Sequence, residues 1–181
     1  AAAVGAACDF VIFTGDTRRA PDEGLALTLS PHRVNSLSPL VGLKTINYLE
    51  PLLSWEEARA RDFDEAVRLN ERGELVSAAL ANLFWVTEGR LHTPALTTGA
   101  LAGTTRDLVL ELAEELFVPR VEGVFELSHL AEAEEIFLTS SGLGVAPVRM
   151  FDFRGYAVSQ FNVAARLGDA LEERARAGPE I

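Results

Sequence analysis

Lys44 is the first residue whose type and position suggest chemistry. It is the single lysine among sixteen basic residues, and the others are arginines. It follows the apolar run Val41-Gly42-Leu43, a setting in which we expect a half-buried amine rather than a solvated one. Burial favours the neutral, nucleophilic form of a lysine amine, so Lys44 is a candidate for attack on a carbonyl group. An incidental lysine is the alternative.

Two further segments could bind an anion. Leu101-Ala102-Gly103-Thr104-Thr105-Arg106 places a glycine and two hydroxyls where a helix is expected to begin, and free N–H groups at a helix N-terminus suit phosphate. Thr139-Ser140-Ser141-Gly142-Leu143-Gly144 offers hydroxyls after an expected buried strand. Taken singly, helix capping explains the first segment and an ordinary turn explains the second. Together with Lys44 they supply an amine and a phosphate cradle, which are the requirements of pyridoxal phosphate.

Length and composition narrow the class of protein. A chain of 181 residues can bury a core without disulfides or a metal ion. Its net charge of −11 makes nucleic acids and anionic membranes poor partners. Charged residues interrupt every apolar run, so no membrane span is expected. The chain has a single cysteine, Cys8, which fits a reducing compartment. We expect a cytoplasmic protein that acts on a small molecule.

The hydrophobic pattern predicts alternating strands and helices, and hence an α/β or α+β domain with a partly antiparallel sheet. The strands between residues 65 and 93 are expected to form a meander, punctuated by turns at Arg72-Gly73 and Glu88-Gly89. Helix 47–61 is expected to bury Leu49, Leu52 and Leu53. The predicted strands are 9–14, 24–30, 65–70, 75–80, 82–87, 90–93, 121–126 and 136–139, and a hairpin-like stretch is expected around 148–153. The other helices are 105–117, a short one from Ser128, and 162–176.

A series of motifs resembles, in order, the large domain of class IV (fold-type IV) pyridoxal-phosphate enzymes. This family includes branched-chain and D-amino-acid aminotransferases and aminodeoxychorismate lyase. Each motif is modest, but their number and order over roughly residues 25–158 identify the family. The motifs are Gly42-Leu43-Lys44-Thr45-Ile46-Asn47-Tyr48-Leu49, Ala81-Asn82-Leu83-Phe84-Trp85, Arg90-Leu91-His92-Thr93-Pro94, Leu101-Ala102-Gly103-Thr104-Thr105-Arg106, Glu134-Glu135-Ile136-Phe137-Leu138-Thr139-Ser140-Ser141 and Ala146-Pro147-Val148.

The resemblance implies a mixed sheet, or pseudo-barrel, surrounded by helices and a pyridoxal-phosphate site at particular positions. Lys44 would form the Schiff base with the cofactor and then move the proton of the substrate's α-carbon. Gly103-Thr104-Thr105 matches the helix N-terminus that binds the cofactor phosphate, and Ser140-Ser141 matches the turn on the other side of that phosphate. Leu101 matches the apolar residue that packs against the pyridine ring.

Two departures from the family pattern affect these implications. The family carries a glutamate five residues before the asparagine of Asn82-Leu83-Phe84, where it pairs with the pyridine nitrogen. Here that position is Ser77, and a hydroxyl cannot hold a proton on the nitrogen by charge. The family's N-terminal small domain is also not represented, so residues 1–20 match the domain junction and residues 21–181 match the cofactor-binding large domain.

The resemblance therefore implies a class IV aminotransferase that acts on an amino acid and forms a homodimer. Two alternatives stay open. One is 4-amino-4-deoxychorismate lyase, which releases pyruvate and 4-aminobenzoate, because the weaker electron sink expected with Ser77 disfavours transamination relative to elimination. The other is a catalytically silent scaffold with the same fold.

Overall fold

The computed structural model of the chain describes residues 12–15 and 20–178. Within this part, nine strands alternate with four α-helices. The strands are β1 (Leu25–Leu29), β2 (Glu65–Leu69), β3 (Leu75–Ala78), β4 (Asn82–Thr87), β5 (Arg90–Pro94), β6 (Arg120–Gly123), β7 (Glu135–Ser140), β8 (Gly144–Phe151) and β9 (Arg154–Gly155). The helices are α1 (Leu49–Arg59), α2 (Thr104–Glu115), α3 (Ser128–Ala131) and α4 (Val163–Ala177). None of these described helices has the length and hydropathy needed to cross a membrane.

The nine strands form one mixed sheet. Its order is β3-β2-β1-β8-β7-β4-β5-β6, and β9 forms a hairpin with β8. Strand β1 runs parallel to both of its neighbours, β5 runs parallel to β6, and the other pairs are antiparallel. The predicted combination of helices with a partly antiparallel sheet is therefore confirmed.

The connection between β3 and β4 forces this sheet to curl. Only residues 79–81 join the two strands, and such a connection reaches at most about 14 Å between the strand ends. In a flat sheet β3 and β4 would lie five strand spacings apart, which is about 24 Å at ~4.8 Å per spacing. The sheet must therefore bend into a half-barrel. Its open edge is bridged where the N–H of Leu75 donates to the carbonyl of Phe125, at 2.7 Å.

Apolar side chains pack on both faces of the curled sheet. Alternate residues of β4 point to opposite faces, so Leu83 and Trp85 belong to one buried cluster and Phe84 to the other. In the second cluster, α2 and α4 cover the sheet, and the rings of Phe84 and Phe137 stack at 5.2 Å. The buried face of α2 matches the predicted amphipathic helix.

The predicted buried face of α1 is wrong. Leu49, Leu52 and Leu53 are all exposed, whereas Ser54 and Ala58 are buried. Small residues on the inner side allow α1 to approach β2 closely, and the leucines point away from the sheet. The sequence pattern located the helix correctly but assigned the wrong face to the core.

Two strand predictions also differ from the structure. The predicted meander is confirmed for the β2–β3 and β4–β5 hairpins, but it is wrong between β3 and β4, because β4 lies between β7 and β5. The glycine turns predict where the chain reverses, whereas the partner of β4 is decided by its long antiparallel pairing with β7. The predicted strand 9–14 falls mostly outside the described residues, and residues 12–15 have no regular structure.

A buried carboxylate holds the short connection between β3 and β4. Glu65, the first residue of β2, is fully buried. One of its carboxylate oxygens accepts hydrogen bonds from the N–H groups of Ala66 and Ala79, and the other accepts one from Leu80, at 3.0–3.2 Å. These bonds satisfy donors that the tight turn would otherwise leave buried without a partner.

We expect Glu65→Gln to destabilise the fold. The amide keeps the size of the side chain but removes its charge and one of its acceptor oxygens. Hydrogen bonds to charged groups contribute about 1.5–3 kcal/mol each, so the free energy of unfolding should fall by about 2 kcal/mol. Urea unfolding measures the change, and Glu132→Gln, at an exposed position, serves as the matched control. Equal stability of the two variants would contradict this role for Glu65.

Candidate active site

One cavity brings together every residue that the sequence nominates for catalysis or cofactor binding. Its volume is about 380 Å³, which lies within the ~300–1,000 Å³ typical of small-molecule sites. The walls come from the segment before α1, from β3, from the loop and first turn of α2, and from the turn after β7. The nominated residues in these walls are Lys44, Ser77, Leu101, Gly103, Thr104, Thr105, Ser140 and Ser141.

The N-terminus of α2 forms one wall of the cavity. The helix begins at Thr104, and no side chain caps it from Gly103. Its first-turn N–H groups therefore have no acceptor inside the helix. These donors and the positive end of the helix dipole favour an anion at this wall.

Asn82 fixes the loop that leads into α2. Its side-chain amide donates to the carbonyl of Leu101, at 2.8 Å. Its carboxamide oxygen lies so close to Gly103 that a Cβ atom at that residue would overlap it. Glycine at the helix N-cap is therefore needed for this close approach.

The same asparagine connects the helix end to the turn after β7. Asn82 pairs with Thr139 across β4 and β7, and Ser140 and Ser141 follow directly. Ser140 accepts a hydrogen bond from the N–H of Leu143 at 3.1 Å, so it orders the turn. Thr139 also lines the cavity, and its buried hydroxyl has no hydrogen-bond partner among the described residues.

Lys44 lies in the cavity wall, but it is not buried as we expected from its apolar neighbours. The residue is exposed, as are Leu43 and Ile46. The segment before α1 has no strand or helix at these positions, so nothing folds its apolar side chains over the lysine. The amine of Lys44 lies 4.7 Å from the ring centroid of Tyr48, a cation–π distance.

Ser77 lies opposite a charged residue on the neighbouring strand. It is half-buried on β3, and its register partner on β2 is Arg68. Directly opposed residues in an antiparallel pair lie on the same face. The Arg68 side chain is only 7% exposed, and its guanidinium lies 3.8 Å from the carboxylate of Glu50. Burial lowers the pKa of Arg68 from its ordinary value, and the negative charge of Glu50 partly opposes this shift.

The sequence patterns did not single out four residues that shape this site. Tyr48 and Asn82 line the cavity, and Glu65 accepts hydrogen bonds from the β3–β4 turn. Arg68 lies opposite Ser77 on the neighbouring strand. An aromatic residue four positions after the lysine, and the asparagine at the start of β4, were visible in the family motifs. The importance of Glu65 and Arg68 has no local sequence signal, because it depends on strand pairing.

The donors in the cavity suit a phosphate ester that carries a carbonyl group. Free N–H groups at α2 and hydroxyls after β7 can bind the phosphate, while Lys44 supplies an amine in the same cavity. Pyridoxal phosphate has this combination of groups, and the residues present fit it.

Comparisons with known proteins agree with this chemistry. The family model described as amino-transferase class IV matches residues 5–151. The branched-chain-amino-acid aminotransferase of Escherichia coli strain K12 is 39% identical over 106 residues, or 59% of this chain and 34% of that protein. The aminodeoxychorismate lyase of Vibrio harveyi is 35% identical over 128 residues, or 70% of this chain and 47% of that protein.

A solved structure shows the same architecture. The T.th. branched-chain amino acid aminotransferase, complexed with N-(5'-phosphopyridoxyl)-L-glutamate, aligns with a TM-score of 0.77 at 30% identity. The alignment covers 83% of this chain and 51% of that chain. The expected fold, a mixed sheet curled into a half-barrel with surrounding helices, is thereby confirmed. The chain spans about half the length of these relatives or less.

We expect Gly103→Ala to weaken pyridoxal-phosphate binding. The added Cβ atom would collide with the Asn82 carboxamide, so the loop and the first N–H groups of α2 must shift. Loss of one charge-assisted hydrogen bond predicts about tenfold weaker affinity, measured by titration of the cofactor absorbance. Gly168→Ala is the control, because its Cβ would make an ordinary 3.7 Å contact with Val145. Unchanged affinity in Gly103→Ala would remove this helix end from the binding site.

Proposed function

This chain belongs to the class IV aminotransferase family. On that basis we propose that residues 21–181 are the cofactor-binding domain of an aminotransferase that depends on pyridoxal phosphate and acts on an amino acid. The observation that carries the proposal is the single cavity that contains Lys44, the open end of α2 and the Ser140-Ser141 turn. These parts are distant in the sequence, and the fold assembles them around a space of suitable size. The names of the relatives support the same activity.

Lys44 has the central chemical role in this proposal. Pyridoxal phosphate, when bound, supplies an electron-withdrawing ring that makes the bonds at the amino-bearing carbon labile. The Lys44 amine would hold the cofactor covalently, and once a substrate amine replaced that link, the freed Nζ would be placed to take the proton from that carbon. Tyr48, beside the amine, orients it through its ring.

The phosphate anchors occupy the opposite part of the cavity. Backbone N–H groups of Thr104 and Thr105 bind the phosphate at the positive end of α2, and Gly103 allows the approach. Ser140 and Ser141 donate hydroxyl hydrogen bonds from the other side, and Leu101 packs against the flat face of the ring. Because these donors belong to rigid strand and helix ends, they orient the reacting carbon toward Lys44.

Ser77 favours a second candidate, aminodeoxychorismate lyase. A serine hydroxyl donates a hydrogen bond to a ring nitrogen but, unlike a carboxylate, does not hold a proton there. This disfavours amino-group transfer relative to elimination. The similarity to the Vibrio harveyi lyase supports the same reading.

We further propose that the complete protein is a cytoplasmic homodimer. Leu40, Leu43 and Leu49 are exposed and line a space next to the Lys44 cavity. Apolar surface of this kind is normally covered in an assembled protein. Either a second copy or the remaining length of the protein supplies that cover, and sedimentation of the full-length protein distinguishes a dimer from a monomer.

Borohydride reduction tests the role of Lys44 directly. In the presence of pyridoxal phosphate, reduction should attach one pyridoxyl group to the peptide that contains Lys44, as read by mass spectrometry. Since the chain has no other lysine, the remaining amine in this sequence is the N-terminal one. Lys44→Arg keeps the positive charge and should abolish the label. A protein that stays colourless and unlabelled would instead be a catalytically silent scaffold.

The Ser77→Glu variant separates the two candidate activities. The carboxylate should hold a proton on the ring nitrogen and speed the conversion of an amino acid to its oxo acid by at least about tenfold, or ~1.4 kcal/mol in activation free energy. Ser77→Ala removes the hydroxyl without adding charge and should give no acceleration. Single-turnover absorbance measures the rate in both. Equal rates in wild type and Ser77→Glu, with normal cofactor affinity, would mean that Ser77 does not face the nitrogen.

A further inference from the structure

Arg68 is a buried cation next to Ser77, outside the cavity that contains Lys44. The two residues are register partners on β2 and β3, so their side chains share one face of the sheet. Both line a second cavity of about 370 Å³, and Ser77 also lines the Lys44 cavity, whereas Arg68 does not. Ser77 therefore connects Arg68 to the space that we propose for the cofactor.

The charge of Arg68 is shielded from solvent. Its side chain is only 7% exposed, and its Nε has no hydrogen-bond partner among the described residues. An arginine stays cationic in proteins. Because a buried charge is screened much less than an exposed one, the guanidinium acts strongly on groups placed at the neighbouring serine.

The negative groups near Arg68 oppose this charge only in part. Glu50 on α1 is 74% exposed, and its carboxylate lies 3.8 Å from the guanidinium, which is beyond hydrogen-bond distance. Glu65 lies three positions earlier on β2 and therefore points to the opposite face of the strand, where its carboxylate accepts hydrogen bonds from the β3–β4 turn. The Tyr48 hydroxyl is the remaining titratable group that acts on Arg68, and Lys44 adds a second cation from the adjoining cavity.

We infer that Arg68, acting through Ser77, keeps the pyridine nitrogen of the cofactor free of a proton. This inference rests on the proposed function, which places that nitrogen at Ser77. A nearby cation disfavours a second positive charge, so a protonated ring is destabilised there. The same cation favours a Ser77 hydroxyl whose oxygen points toward Arg68 and whose O–H group donates to the nitrogen lone pair. Arg68 is thus a positioning residue for the ring.

This pair of residues has a consequence for the reaction. A ring without the proton on its nitrogen withdraws electrons less strongly. It therefore favours reactions in which a leaving group of the substrate accepts the electron pair over reactions that store the pair on the ring. Arg68 and Ser77 together support the lyase candidate, through a charge that is present in addition to the missing carboxylate at position 77.

A thiol at position 77 measures the effect of Arg68 without any cofactor. A nearby cation stabilises a thiolate. In cofactor-free full-length protein, the thiol pKa of Ser77→Cys should therefore be at least about one unit lower with Arg68 present than in combination with Arg68→Met. The pH dependence of alkylation, read by mass spectrometry on the peptide that contains position 77, measures this pKa. Thr87→Cys, half-buried on β4 outside both cavities, is the control thiol and should not respond to Arg68→Met.

Two further variants keep the test decisive if Arg68→Met folds poorly. Arg68→Lys keeps the cation and should retain most of the lowered thiol pKa at position 77, which a purely structural role for the arginine would not predict. Glu50→Gln removes the opposing carboxylate from an exposed side chain and should lower that pKa further. A thiol pKa that is the same with and without Arg68, or that does not fall in Glu50→Gln, would overturn the inference.

Nitrogen-15 NMR of ring-labelled pyridoxal phosphate tests the nitrogen itself and separates this inference from the proposed function. In the loaded protein, the nitrogen should take up a proton at a pH at least about one unit lower than in Arg68→Met. If the thiol responds to Arg68 but borohydride attaches no cofactor to Lys44, the charged wall at Ser77 stands and the proposed function fails. If Lys44 is labelled but the nitrogen titrates alike in both proteins, this inference fails and the proposed function stands.

Discussion

The three-residue connection between β3 and β4 is the constraint on which the rest of the site depends. Because β3 lies at one edge of the sheet and β4 near the other, so short a link can exist only if the sheet curls. The curl brings Ser77, at the end of one strand, to the same cavity as Asn82, at the start of the other. Glu65 stabilises this connection, because its carboxylate accepts hydrogen bonds from the backbone N–H groups that the turn buries.

Asn82 extends that constraint to the α2 end of the cavity. Through one side-chain hydrogen bond it fixes the loop before α2, and through strand pairing it fixes the turn after β7. The two proposed phosphate-binding segments, which are far apart in the sequence, are therefore held by one residue. Strand and helix ends are stiffer than long loops, which is the property that a site needs to hold a reacting group in one orientation.

Charge is distributed very unevenly in this chain. This chain carries a net charge of −11, yet the Lys44 cavity is lined by a lysine, hydroxyls, an amide and a helix N-terminus, with no acidic side chain among its described lining residues. An acidic exterior repels polyanions, while donor-rich cavities attract small anionic molecules. Lys44 itself is exposed, as are Leu43 and Ile46 next to it in the chain, so the amine lies at the open side of the cavity.

The sequence by itself located most of the elements and nominated the residues that the fold gathers around one cavity. Hydrophobic periodicity located most strands and the three longer helices, because burying an apolar stripe is a local requirement of each element. The order of the motifs then nominated Lys44, Ser77 and the two segments proposed to bind phosphate. A lysine amine together with two hydroxyl-rich segments meets the requirements of pyridoxal phosphate. Local pattern could not give the exposed face of α1, the partner of β4, or the opposition of Arg68 and Ser77. Those features depend on which strands pair and how far the sheet curls, and pairing is decided by contacts between residues far apart in the chain.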